Sequence, residues 1–124
     1  MSTCPFCGMG SETKFHYVFV VKEIWPNGHD ESRPYGKRMV QALEWAEKIL
    51  VLPISTSYYH EGGDWKQHKV IPTSVSAEVC DDVVFINRPG RIWQGKASVT
   101  DEKGDRYERT VIVFKHLVVK NSRM

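Results

Sequence analysis

The chain has 124 residues, of which 41% are hydrophobic, 26% charged and 11% aromatic, and its formal net charge is +2. This is the composition of an ordinary globular domain, large enough to bury roughly two thirds of its unfolded surface without a disulfide or metal staple. It argues against a uniformly basic nucleic-acid binder, and no run approaches the ~20 apolar residues of a membrane span. The start, Met1-Ser2-Thr3-Cys4-Pro5, lacks the basic and apolar regions of a secretory signal, and three cysteines fit reduced thiols better than a disulfide framework. A cytoplasmic protein is the expectation.

Residues 1–13 are rich in Gly, Ser, Thr and Cys without apolar periodicity, and read as a flexible or zinc-tied arm ahead of a single α+β domain over residues 14–124. In Cys4-Pro5-Phe6-Cys7-Gly8 the two-residue spacing lets two thiolates grip one zinc ion. That is half of a tetrahedral site. The remaining ligands would come from His16, Cys80, another histidine or a second subunit. An arm without metal and a redox pair are the alternatives, although the βαβ setting of redox CxxC motifs is missing.

Residues 14–21 are aromatic and β-branched and predict a strand whose two apolar faces imply burial on both sides. Turn formers dominate residues 26–36, which predict a long loop. Residues 37–51 carry Met39, Val40, Leu43, Ala46, Ile49 and Leu50 at helical spacing opposite a polar stripe, so an amphipathic helix is expected with Leu43, Trp45 and Ile49 largely covered by the sheet. Pro53 stops it. Strands follow at about residues 54–60, 69–80 with an interruption at Pro72, 83–86, 91–100 and 106–119. The turn Asp101-Glu102-Lys103-Gly104-Asp105 joins the last two as a hairpin, with Thr110, Ile112, Phe114, His116 and Val118 on one face and Val111, Val113, Lys115 and Leu117 on the other. His116 reads as a core histidine. The order of elements gives an α+β fold, one amphipathic helix packed on a curved, mainly antiparallel sheet of five or six strands.

Charge is unevenly placed. Residues 53–87 hold two lysines against five carboxylates, whereas residues 88–124 hold nine cations against four carboxylates. Two loops concentrate candidate ligand-binding residues. Residues 32–38 bring Arg33, Tyr35, Lys37 and Arg38 to the start of the helix, where free N–H groups favour an anion. Asn87-Arg88-Pro89-Gly90-Arg91 reads as a type II turn flanked by Arg88 and Arg91 with Trp93 nearby, a set of guanidinium forks and an aromatic face suited to phosphate and nucleobase. If the two loops form one site, these cations converge.

Catalytic signatures are incomplete. The GxxxxGK[ST] spacing is absent, the HExxH spacing fails at Asp64 in a glycine-containing stretch that reads as a loop, and the serines lack a GxSxG context. Asp81 and Asp82 are adjacent and read as turn residues. The expected function is a small non-catalytic binding protein that captures an anionic, nucleotide-like ligand or an acidic partner protein, with exposed strands offering a route to homo-oligomers. A hotdog-like enzyme acting on a thioester or nucleotide, and a zinc-knuckle adaptor, are the alternatives.

Overall fold

The computed structural model describes residues 13–121. The first and last strands form its centre: β1 (Thr13–Ile24) runs antiparallel to β7 (Arg106–Asn121) over its whole length, with Thr13 opposite Asn121 and Ile24 opposite Thr110. Alternation places Phe19 and Val21 on the same face as Val111 and Val113, and all four are buried. On that face lies α1 (Met39–Leu50), which buries Ala42, Ala46, Ile49 and Leu50. The two alanines let the helix backbone approach the sheet closely. Leu43 and Trp45 pack only at the edge of this core, and the first turn overhangs it, leaving Met39 46% and Val40 62% exposed.

The strand order is β2-β1-β7-β6-β5, with β2 at Asp30–Pro34, β5 at Ser74–Val79 and β6 at Gly90–Thr100. The sheet is open, antiparallel throughout and five-stranded. A separate two-stranded sheet pairs β3 (Ile54–Glu61) with β4 (Asp64–Val70).

Several sequence expectations are corrected. The long loop over residues 26–36 shrinks to the turn at Trp25–His29, because Asp30–Pro34 pairs with the outer edge of β1; a polar strand there satisfies edge hydrogen bonds while facing water. The stretch from His60 to His68 is a hairpin ladder, with Gly62 and Gly63 at φ 61° and 88° making the two-residue turn that such a hairpin needs. Residues 83–86 form no strand. Only an isolated bridge from Phe85 to Arg88 marks them. Gly90 does not take the positive φ of a type II turn but begins β6, where a Cβ would stand 2.8 Å from the Asp82 carbonyl oxygen and 2.9 Å from Val84. Pro72 separates β4 from β5 as expected.

Burial on both faces is corrected as well. The core cluster lies wholly on the helix side, while Val18, Val20, Ile112, Phe114 and the two histidines His16 and His116 are half-buried on the opposite face and take no part in it. His116 is therefore not a core residue. Replacing Leu50 with alanine should cost about 2–5 kcal/mol in denaturant unfolding, whereas Val40→Ala should stay within about 0.5 kcal/mol. Gly90→Ala should cost about 1–3 kcal/mol, because its new methyl group meets backbone.

Candidate functional site

The covered face of β1 and β7 carries one ion pair among its apolar residues. Arg109 is 7% exposed, and its Nη1 donates to the carbonyl oxygens of Ile49 at 3.0 Å, Leu50 at 3.3 Å and Leu52, while Nη2 donates to Pro53 at 3.0 Å. These acceptors include carbonyls at the end of α1 that have no intrahelical partner, and a cation there also complements the helix dipole. The Nε atom lies 3.2 Å from Glu23 Oε2, a charge contact whose N–H is not aimed for a hydrogen bond. Burial pushes the Arg109 pKa down and Glu23 opposes that shift; an arginine nonetheless keeps its proton at neutral pH.

Above this pair opens a cleft of about 530 Å³, within the ~300–1,000 Å³ of small-ligand sites. Trp25 from the β1–β2 turn and Tyr58 from β3 line it, along with Tyr107 and Arg109 from β7 and Gln67 and Lys69 from β4. The turn holds its shape through the Trp25 N–H bond to the His29 carbonyl at 2.8 Å, with the two rings 4.6 Å apart. Ser55 Oγ donates to Gln67 Oε1 at 2.7 Å, which orients that amide. The Tyr107 hydroxyl donates to Asp101 Oδ2 at 3.4 Å; desolvation and the neighbouring carboxylates raise its pKa, so it remains a neutral phenol. The cleft thus offers aromatic faces, amide and hydroxyl groups, and Lys69 as a cation beyond the Glu23–Arg109 pair.

The residues singled out from sequence lie elsewhere. Arg33 sits on β2 with Nη2 3.6 Å from Glu31. The Tyr35 ring packs at the edge of the core, 6.0 Å from Trp45, and Lys37 and Arg38 are exposed ahead of α1, whose first turn has neither a side-chain cap nor an acidic residue. Arg88 is exposed. Arg91 is engaged, with Nε donating to Asp82 Oδ2 at 2.8 Å and Nη1 to Gln94 Oε1 at 2.9 Å, and Trp93 is 7% exposed within the core. The two loops flank one level of the sheet: Gly36 bonds to Phe19, Phe19 pairs with Lys115, and Lys115 pairs with Gly90. Strands β1 and β7 lie between them, a separation of about 14 Å at three strand spacings. Cys4 and Cys7 lie outside the described residues. His60 and His68 project from opposite faces of the β3–β4 hairpin.

Among the described residues there is no group of three or more His, Cys, Asp and Glu able to hold a metal, and no helix long and apolar enough to cross a membrane. Protein-family models, curated proteins and solved structures give no match to this chain. Of the cleft residues, Arg109 leaves a trace in the sequence: it is the one charged residue in the inward alternation Arg109, Val111, Val113. Trp25, Tyr58 and Tyr107 belong to separate stretches, and only folding brings them together.

Removing the guanidinium strands the carbonyls of Leu50, Leu52 and Pro53 and leaves Glu23 without its cation, while Ile49 keeps the Leu52 N–H, so Arg109→Met should destabilise the fold by about 3–5 kcal/mol in chemical denaturation. The hydrogen bond from Arg91 holds the Asp82 carboxyl below the usual aspartate range. A depressed folded pKa contributes stability above the unfolded value and loses it as pH falls through the folded one. An NMR titration should therefore find Asp82 ionising at lower pH than an ordinary aspartate, and Arg91→Gln should return it towards normal.

Proposed function

We propose that this is a small non-catalytic binding protein that captures a planar, anionic, nucleotide-like ligand in the cleft between the β1–β2 turn and the β3–β4 hairpin. The supporting observation is the lining of that cleft, where Trp25, Tyr58 and Tyr107 surround a volume of about 530 Å³ and Lys69 adds positive charge. An aromatic face stabilises a stacked base by about 1–3 kcal/mol without demanding one base identity, and a lysine ammonium meets a phosphate as a point charge. Glu23 and Arg109 offset each other, so the remaining charge of the lining is that of Lys69. A binding role is favoured over a catalytic one because the lining pairs no nucleophile with a histidine or carboxylate base: the Ser55 hydroxyl is hydrogen-bonded to Gln67.

Thermal unfolding with nucleoside mono-, di- and triphosphates tests the proposal. A ligand at 100 times its Kd should stabilise the protein by about 2.7 kcal/mol. Trp25→Ala should weaken binding by roughly 5- to 100-fold, the equivalent of one lost stack, and Lys69→Ala should weaken it for the phosphorylated ligand but not for the nucleoside. Arg33→Ala and Arg88→Ala should change neither. The absence of any shift across the series overturns the proposal, as does binding that depends on Arg88 and not on Trp25.

A further inference from the structure

We propose that the outer edge of β5 is a docking surface for a second copy of this chain, joined antiparallel about a two-fold axis at Ala77 so that two five-stranded sheets become one. Strand β5 ends the sheet order, and among the described residues no backbone group pairs with its outer side. The Cys80 N–H donates to the Ile92 carbonyl at 3.0 Å, so the even-numbered residues of this stretch face β6. Alternation then turns the N–H and C=O groups of Val75, Ala77 and Val79 outwards. Their side chains share the face on which α1 lies, since Val75 pairs with Ala97, Ala77 with Gly95 and Val79 with Trp93. The helix does not reach them. All three are exposed, Val79 by 86%.

The two edges of the sheet are built differently. On β2 the Tyr35 N–H donates to the Phe19 carbonyl, so Asp30, Ser32 and Pro34 hold the outward positions, and Pro34 has no N–H to offer there. Charge, short length and proline keep such an edge from pairing. Strand β5, Ser-Val-Ser-Ala-Glu-Val, has no proline and no register shift, and its single charge, Glu78, projects from the face opposite the three apolar residues. An edge of that kind is a template for another strand. It also suits a copy of itself. About an axis at Ala77, Val75 of each copy stands opposite Val79 of the other, so apolar side chains meet on one face. On the other face Glu78 meets the second copy's Ser76, whose neighbour on β6 is Lys96, and no like charges stand opposed. Three outward residues on each strand, with one N–H apiece, supply about six hydrogen bonds. So short a seam makes a reversible dimer and not an obligate one.

No residue of β5 lines the cleft, so failure of this proposal leaves the ligand proposal standing. Sedimentation of the full chain over a concentration series should show the mass rising from 14.3 kDa towards twice that value. Ala77→Pro removes an outward N–H and no bond to β6, so it should keep the circular dichroism of the unmodified protein while weakening dimerisation at least about tenfold. Ala77→Lys and Ala77→Glu each set like charges directly across the axis and should each weaken it likewise, whereas an equimolar mixture of the two should recover the dimer as a heterodimer. Ser32→Pro, at an outward position of β2, should leave the association unchanged. A monomeric mass up to about 1 mM overturns the proposal. So does undiminished dimerisation in Ala77→Pro or Ala77→Lys, and so does a mixture of the two charge variants that stays as weakly associated as either alone.

Discussion

The buried guanidinium of Arg109 reaches from β7 to the carbonyl end of α1 and continues along the chain to Leu52 and Pro53, just before Ile54 enters β3. One planar group thereby sets both where the helix stops and where the β3–β4 hairpin departs. Because the hairpin forms one wall of the cleft and Arg109 itself lies within the lining, the same contact fixes the cleft's dimensions. A buried charge is tolerated when most of its donors find partners, and here the main-chain carbonyls at and just beyond the helix end accept from both Nη atoms while Glu23 offsets the charge beside Nε. Neither a lysine, with its single ammonium, nor an apolar side chain reproduces that fork.

The architecture is also limited by unequal lengths. A twelve-residue helix extends about 18 Å, whereas a sixteen-residue strand extends about 54 Å. The helix covers the middle of the β1–β7 pair, where Phe19, Val21, Val111 and Val113 are buried, and leaves Phe15, Tyr17 and Val119 exposed beyond it. At the same place β2 and β6 end. Phe19 is the outermost residue of β1 whose backbone is engaged on that side, donating to Gly36 and accepting from Tyr35. Alternation turns the backbone groups of Phe15 and Tyr17 the same way, past the end of β2. The molecule therefore has a closed, helix-capped end that carries the cleft and an open ribbon at the other.

Legibility in the sequence followed how strongly each element is patterned. The helix was readable because Leu43, Ala46, Ile49 and Leu50 repeat at its period, and the β6–β7 hairpin because Asp101 and Gly104 carry their own turn chemistry. The antiparallel α+β class followed from those elements. Strand β2 left no signal: Asp-Glu-Ser-Arg-Pro alternates nothing apolar, and only the edge of β1 makes it a strand. The β3–β4 hairpin is exposed on both faces over most of its length, so β3 and the glycine pair were legible but β4, whose residues 64–68 read as a loop, was not. Residues 83–86 mislead in the opposite sense, since a run of four apolar residues suggests a strand and no sheet edge is there to receive it. As for the site, adjacency in sequence favoured loops with several cations each. The cleft is instead built from single residues on distant elements, and of these Arg109 alone left a mark, as a charge beside the buried Val111 and Val113.

The pairing of β1 with β7 has a consequence for how the chain comes to be folded. Phe15 and Val119 are partners across about one hundred residues, and the contacts that bury Phe19 and Val21 depend on that pairing. During synthesis from the N-terminus, β1 and α1 emerge long before the strand that completes their core. Until β7 leaves the ribosome, the aromatic stretch of β1 has one short polar neighbour and nothing across its other edge. Such non-local closure slows folding and lengthens the interval in which an unpaired apolar strand can meet another chain. The nascent protein should accordingly rely on chaperones more than its modest size suggests, and loss of the last strand would remove the centre of the sheet, not its margin.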